Sequence, residues 1–289
     1  KSFFAKKEIA NSFFATPDHI LILDVENEYT ALVEQLQGQV LYLAPDSQSY
    51  LNPMDLDLST DVGESPMLMQ ADFLLSQCEL MMASYGNPLM PIEKSLIDRC
   101  ISLVYRDYLK RPTPENMPIL GDLYQCLRAQ DNHTADDLAT AMEIYVTGSL
   151  SYLNHRTNVD LNNRLVCYNT SKMGQGLKKL VMANVQKHIW QRTTINRYAG
   201  VTTRIFLDEF HMLLKEPQTA AYTAEIYKRF RKWNGIPTSL TQNVKDLLAS
   251  PEIENILENS DFILMLNQGA SDRGILAQRL GISPQELTH

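Results

Sequence analysis

The chain has 289 residues, 44% hydrophobic and 21% charged, with a formal net charge of −8. That is enough apolar material for one large α/β unit or two smaller ones, and it excludes a disordered chain. The acidic balance counts against a dedicated DNA-binding domain, which needs a positive field, although a local basic patch can still contact nucleic acid. No apolar run approaches the roughly 20 residues of a membrane span, and no signal peptide is recognisable. Cys78, Cys100, Cys126 and Cys167 are scattered without a C-x-x-C pair. They read as small buried hydrophobes in a reducing compartment rather than as a zinc site.

Phe3, Phe4, Ile9, Phe13 and Phe14 recur at roughly helical spacing and predict a helix over 1–15, stopped by Thr16-Pro17-Asp18. Apolar runs at 19–24 and 39–43 flank a helical stretch around 29–36 that Gly38 closes. Strand, helix and strand within about 30 residues form a βαβ unit and imply a parallel sheet. From about 61 to 149 no strand is legible. Leu, Met, Ala and acids predominate there, with breaks at Gly86-Asn87-Pro88 and Arg111-Pro112-Thr113-Pro114. This predicts an insertion of four or five helices, and Met67, Met69, Met81, Met82 and Met90 read as its packing rather than as a cofactor box. The alternation then resumes. Strands are expected at 164–168, 204–208, 236–241 and 262–266, with helices at 172–192, 218–233 and 244–249. The expected class is α/β, a mostly parallel sheet with helices on both faces. The core occupies 1–58 and 151–289, and the all-helical insertion 59–150.

Chemistry concentrates at three strand ends. Residues 204–209, Arg-Ile-Phe-Leu-Asp-Glu, are a short apolar run ending on Asp208 and Glu209. A buried parallel strand that delivers two acids to a sheet edge matches the Walker B element, where the Asp serves Mg²⁺ and the Glu orients or deprotonates the attacking water. The structural alternative is a strand end whose acids cap the next helix or pair with Arg204. Lys1-Ser2 matches the last two letters of a P-loop, G-x-x-x-x-G-K-[ST], at a helix start. There Lys1 would reach the β- and γ-phosphates and Ser2 the metal, at the positive end of the helix dipole. The chain is thus expected to begin inside that motif, without the glycine loop. Thr241-Gln242-Asn243 follows the next strand. Gln242 is placed to sense a γ-phosphate, or else caps the following helix. His211 reads as helix surface or local packing, since no second His follows at i+4. Lys228-Arg229-Phe230-Arg231-Lys232-Trp233 is either a solvated face with Glu225 paired to Arg229, or a source of an arginine finger or DNA contact. Arg273, in Gly269-Ala270-Ser271-Asp272-Arg273, is a second candidate for an interface or phosphate-sensing arginine.

With these pieces in order, the chain resembles the C-terminal ATPase domain of the conjugative-transfer ATPases of type IV secretion systems. These are the Vir/Tra-type energising ATPases of the HerA/FtsK branch of RecA-like P-loop motors. The residues that carry the likeness are Lys1-Ser2-Phe3, Asp24-Val25-Glu26-Asn27-Glu28-Tyr29, Asp46, Asn52-Pro53-Met54-Asp55, Ser171-Lys172-Met173-Gly174, Leu207-Asp208-Glu209-Phe210-His211, Arg231-Lys232-Trp233-Asn234-Gly235 and Thr241-Gln242-Asn243. The N-P-M-D and R-K-x-x-G segments are the more specific ones, and the likeness is loose only in the insertion.

The resemblance implies a RecA-like core that hydrolyses ATP with Mg²⁺. Lys1 and Ser2 would be Walker A, Asp208 and Glu209 Walker B, and Gln242 the sensor. Arg231 would belong to a basic motif, and Arg273 to a further motif at a subunit interface. It also implies a ring-shaped, hexameric assembly at the cytoplasmic face of the membrane. The implied partners are secretion-channel and coupling-protein components, with membrane contact made through other regions. A DNA-translocating motor or coupling ATPase of the same superfamily, and a non-hydrolysing assembly scaffold, are the alternatives. The first predicts DNA-stimulated, salt-sensitive hydrolysis. Against the second stand Asp208, Glu209 and Gln242, which a retired site has little chemical reason to keep together.

Overall fold

The computed structural model describes residues 1–58, 65–82, 88–242, 244–266 and 270–282. Five strands, β1 (His19–Asp24), β2 (Gln39–Tyr42), β3 (Leu165–Asn169), β4 (Thr203–Leu207) and β5 (Gly235–Ser239), form one sheet in the order β2-β3-β1-β4-β5. Every pairing is parallel. Ile20 lies opposite Leu165 and Arg204, and Leu23 opposite Tyr168 and Leu207. The central strands are apolar at almost every position because both faces are covered.

Successive side chains point to opposite faces and divide the core in two. Ile20, Ile22, Leu165, Cys167 and Phe206 face α1 (Ser2–Ala15), through Ala5 and Ile9, and α2 (Thr30–Gln35), through Val33. Leu21, Leu23, Val166, Tyr168, Ile205 and Leu207 belong to the other cluster. That cluster takes in α8 (Gln175–Tyr198) and α9 (Pro217–Phe230), and beyond them α3 (Pro66–Met82), α4 (Pro91–Val104), α5 (Arg106–Lys110), α6 (Leu120–Arg128) and α7 (His133–Val146). The helical segment thus shares one hydrophobic core with the sheet. Met81 and Met82 are buried in it, and Met67 and Met69 pack against it, while Met90 lies outside, 60% exposed.

The Asn52-Pro53-Met54-Asp55 segment ties that core together through its backbone. Asn52 Nδ2 donates to the Pro118 carbonyl at 2.8 Å. Gln70 Nε2 donates to the Pro53 carbonyl at 3.0 Å and to the Tyr105 hydroxyl at 2.8 Å, and that hydroxyl donates to the Met54 carbonyl. Lys187, buried on α8, donates to the carbonyls of Pro53 at 2.8 Å and Asp55 at 2.6 Å. Burial pushes the Lys187 ammonium down to about 7, with only the Asp55 charge pulling it back.

One expected strand does not form. Residues 262–266 lie outside the sheet with every side chain exposed, Phe262 at 94%. A strand is defined by its hydrogen-bonded neighbour as much as by its composition. This run has the composition but does not join the sheet. After it come α12 (Ala270–Leu280) and, before it, the short α10 (Val244–Leu248) and α11 (Ile253–Glu258). The readings placed on Gly86-Asn87 and Asn243 lie outside the described residues.

The R-K-x-x-G segment has a local steric reason. After α9 the chain takes one 3-10 turn over Arg231–Trp233, reverses through Asn234 in the left-handed region (φ 54°), and enters β5 at Gly235. A Cβ on Gly235 would sit 2.8 Å from Phe230 Cβ and 3.0 Å from its ring, inside contact distance of a fully buried side chain. Gly235→Ala is therefore expected to destabilise the fold by about 1–3 kcal/mol, read as a lower urea midpoint at unchanged slope.

Lys187 gives a prediction with a definite sign. Between pH 7 and its unfolded pKa the folded state binds fewer protons at this site than the unfolded chain. Its contribution to stability therefore rises with pH across that window. Relative to a Lys187→Met variant, the wild type should gain stability, by a few kcal/mol at most, between pH 7 and 10 in urea titrations.

Candidate active site

β4 enters the interior and ends on Asp208, which is fully buried, and Glu209, nearly so. The turn that follows is pinned on three sides. Asp208 N–H donates to the Leu23 carbonyl at 3.1 Å, Phe210 N–H to the Leu240 carbonyl at 2.9 Å, and Leu240 N–H to the Leu207 carbonyl at 2.9 Å. Glu209 itself is left-handed, with φ 44° and ψ 46°, at the head of a 3-10 helix over Phe210–Leu214. A non-glycine residue there carries a conformational cost that the flanking bonds must hold. The strain falls on the residue whose carboxylate is most heavily engaged.

Lys1, half-buried at the head of α1, reaches across to both acids. Its Nζ lies 2.9 Å from Asp208 Oδ1 and is hydrogen-bonded to Glu209 Oε1. Gln242 Nε2 donates to the same Glu209 oxygen at 3.1 Å. His211 Nδ1 is 3.3 Å from the other, Oε2, and 3.2 Å from Thr241 Oγ1. Burial lowers the Lys1 pKa, but bonds and charges from Glu209 and Asp208 outweigh it, and the ammonium ends above its ordinary value. For Asp208 the balance reverses. Burial holds its carboxyl above the usual carboxylate range, and Lys1 offsets only part of that. The two outcomes agree with position, since the acid is wholly inside and the lysine nearer the rim.

Both oxygens of Asp208 are buried; the Lys1 ammonium lies against Oδ1, and Oδ2 accepts no hydrogen bond among the described residues. The Tyr29 hydroxyl, just before α2, and Thr170 Oγ1, just after β3, are likewise buried without a partner among the described residues. Burial first, and next the Asp208 charge, raise the Tyr29 phenol. Unmet oxygen lone pairs beside a carboxylate suit a hard divalent cation that keeps most of its water. Asp208, with Ser2 at the start of α1, would hold such a cation. Among the described residues no cluster of three His, Cys, Asp or Glu side chains is arranged to hold a metal.

The structural alternatives for the acids do not describe what is seen. Arg204 pairs with Asp18 at 2.7 Å and Glu8 at 3.6 Å, away from Asp208, and Glu209 caps nothing through its side chain. Lys1, Asp208, Glu209 and Gln242 thus come together from three parts of the chain. Arg231 and Arg273 do not join them. Arg231 is exposed and 3.7 Å from Asp261, and Arg273 is exposed on α12. The expected Glu225–Arg229 pair is present at 3.0 Å on the solvated side of α9. Asp24, in the motif that opens at the end of β1, accepts the N–H groups of Glu28 and Tyr29, both at 2.9 Å, and so fixes the start of α2. His211, expected as helix surface or local packing, packs against Glu209 and Thr241, and Tyr29, a motif residue before α2, turns its buried hydroxyl into the group near Asp208 without any signal in the spacing. A cavity of about 180 Å³ lined by Tyr42, Asp46, Asn169 and Lys172 opens at the same sheet edge, over β2 and β3.

A family model described as the TraG P-loop domain matches residues 119–286. The chain belongs to the TraG P-loop domain family. The resemblance to conjugative-transfer and type IV secretion ATPases therefore holds at the level of family. The fold agrees. VirB4 of Thermoanaerobacter pseudethanolicus superposes with a TM-score of 0.85 at 24% identity, over 99% of this chain and 79% of that one. The sheet is accordingly the RecA-like one expected. The bacterial conjugative coupling protein TrwBdeltaN70, in a trigonal form with sulphate, aligns at a TM-score of 0.47 and 12% identity over 90% of this chain and 71% of that one. Comparison with curated proteins gives no match.

Removing the lysine should expose the cost of the buried acids. Lys1→Met is expected to destabilise the protein by about 3 kcal/mol at neutral pH, because Asp208 is left without its cation. That loss should shrink as pH falls and Asp208, already held above the ordinary carboxylate range, takes up a proton. Urea unfolding at pH 7 and pH 5 measures both.

Proposed function

We propose that this TraG P-loop domain hydrolyses ATP in a Mg²⁺-dependent reaction and so powers conjugative transfer or type IV secretion. The observation that carries the reading is the convergence of Lys1, Gln242 and His211 on the Glu209 carboxylate, beside a buried Asp208 whose Oδ2 accepts no hydrogen bond among the described residues. Lys1 exchanges its two acids for the β- and γ-phosphates of the nucleotide. Glu209, released from that ion pair, orients the attacking water and accepts its proton. Gln242, already within hydrogen-bonding distance of Glu209, reports whether a γ-phosphate is present. Ser2 and Asp208 would hold the metal, which supplies charge stabilisation for the phosphoryl group when bound. Positioning and electrostatics do the catalysis, as phosphoryl transfer requires.

Several finer features extend the proposal. The active form is a ring, hexameric by resemblance, in which Arg231 or Arg273 reaches a neighbouring copy's nucleotide; both are exposed, as a residue acting in trans must be. The partners are secretion-channel and coupling-protein components at the cytoplasmic face of the membrane, with DNA or protein as the transported substrate. No helix among the described residues is long and apolar enough to cross a membrane. Residues 59–150 act as an insertion between the two parts of the ATPase core.

The decisive variant is Glu209→Gln, assayed in a protein with a complete glycine loop ahead of Lys1. ATP binding is expected to stay within a few-fold of wild type, while turnover falls by at least about 100-fold. Unchanged hydrolysis would remove Glu209 from the mechanism and the reading with it.

A further inference from the structure

The two oxygens of Glu209 are engaged by different kinds of neighbour. Lys1 and Gln242 both bond Oε1, whereas Oε2 has His211 Nδ1 beside it at 3.3 Å. In the reaction proposed above, Lys1 leaves for the phosphates and Gln242 answers to the γ-phosphate. The imidazole is then the neighbour that stays. Several rotatable bonds separate a glutamate carboxylate from its backbone, so a base held only by groups that depart would lose its aim as the nucleotide arrives.

The imidazole is on a firm mount. His211 stands on the 3-10 turn over Phe210–Leu214, whose Phe210 and Leu213 are buried. Met212 N–H donates to the Glu209 carbonyl at 2.8 Å, and Thr219 Oγ1 donates to the Leu213 carbonyl at 2.7 Å. On its other side Nδ1 is 3.2 Å from Thr241 Oγ1, in the residue before Gln242. The ring thus bridges the turn after β4 and the loop after β5.

The surroundings also choose the tautomer. Nδ1 sits between a carboxylate oxygen and a hydroxyl oxygen, and the His211 and Glu209 side chains are only 12% and 7% exposed. A carboxylate accepts and cannot donate. A bare lone pair on Nδ1 would face that negative oxygen with little water to screen it. Nδ1 therefore carries the hydrogen, within reach of both Oε2 and Thr241 Oγ1.

We infer, on the ATPase reading above, that His211 is a positioning residue for hydrolysis: its Nδ1–H takes Glu209 Oε2 when Lys1 withdraws, and keeps Oε1 turned toward the attacking water. It touches neither nucleotide nor water and acts through Glu209 alone.

The test uses the protein with its complete glycine loop. His211→Phe keeps a ring of similar size and removes the donor. It is expected to lower kcat by at least about ten-fold while the KM for ATP stays within about three-fold. His211→Asn places an amide N–H where Nδ1 was and should recover most of that loss. In a Glu209→Gln background His211→Phe should cost nothing more, since the two act as one unit. Independently of activity, the wild type at pH 8 should show the His211 proton on Nδ1 in ¹⁵N–¹H correlation spectra. An unchanged kcat in His211→Phe, a loss confined to KM, no recovery by asparagine, additive losses in the double variant, or a proton on Nε2 alone overturns the inference. Undiminished hydrolysis by Glu209→Gln strikes at the ATPase reading itself. An inactive Glu209→Gln beside a fully active His211→Phe strikes at the role of His211 only. If His211→Phe fails to fold, the wild-type tautomer decides.

Discussion

A carboxylate delivered to the end of a strand covered on both faces is an electrostatic debt, and most of the candidate site follows from how Lys1 offsets it. Asp208 arrives where its two strand neighbours and the helices over them leave no water. One ammonium, brought by the helix that lies across the sheet, balances two adjacent acids. The packing of Ala5 and Ile9 against Ile20, Ile22 and Phe206 therefore does more than bury surface. It holds residue 1 within reach of residue 208. In the proposed reaction the same proximity brings the lysine to a phosphate, which would offer the ammonium equivalent charge while freeing the carboxylates.

A second constraint joins the helical segment to the sheet. The carbonyls of Pro53, Met54 and Asp55 collect donors from α3, α8 and the junction of α4 and α5, by way of Gln70, Lys187 and Tyr105, and the next carbonyl, of Leu56, accepts from Tyr108 on α5. A buried loop must settle every main-chain acceptor, and this one does so by recruiting side chains from each neighbouring helix. That gives a physical content to the N-P-M-D signature. Proline and asparagine shape a short irregular segment whose carbonyls point outward into the surrounding helices. The single hydrophobic cluster shared by sheet and insertion is consistent with the two moving as one body around that loop.

Much of this was legible in the sequence because burial on both faces writes a plain pattern. Residues 19–24 read as a strand and form one, and the runs around 165, 204 and 236 were displaced by a residue or so. The Asp208-Glu209 pair was recognisable for the same reason, as the polar end of a hydrophobic word. The run at 262–266 has similar composition and is no strand, because pairing is not encoded within the segment that pairs. The left-handed turn at Glu209 was equally hidden, since nothing about a glutamate announces a positive φ. His211 and Tyr29 join the site through geometry that spacing does not report.

The pinned turn at Glu209 also has a mechanical meaning. The amide after Glu209 bonds to the carbonyl of Leu240, whose own amide bonds back to Leu207, and Gln242 lies two residues further on. The acid and the amide are thus carried on one short crank between the ends of β4 and β5. A displacement of the β5 end cannot be absorbed by free rotation at residue 209, because the left-handed well is narrow. Whatever tugs on Gln242 turns Glu209 with it.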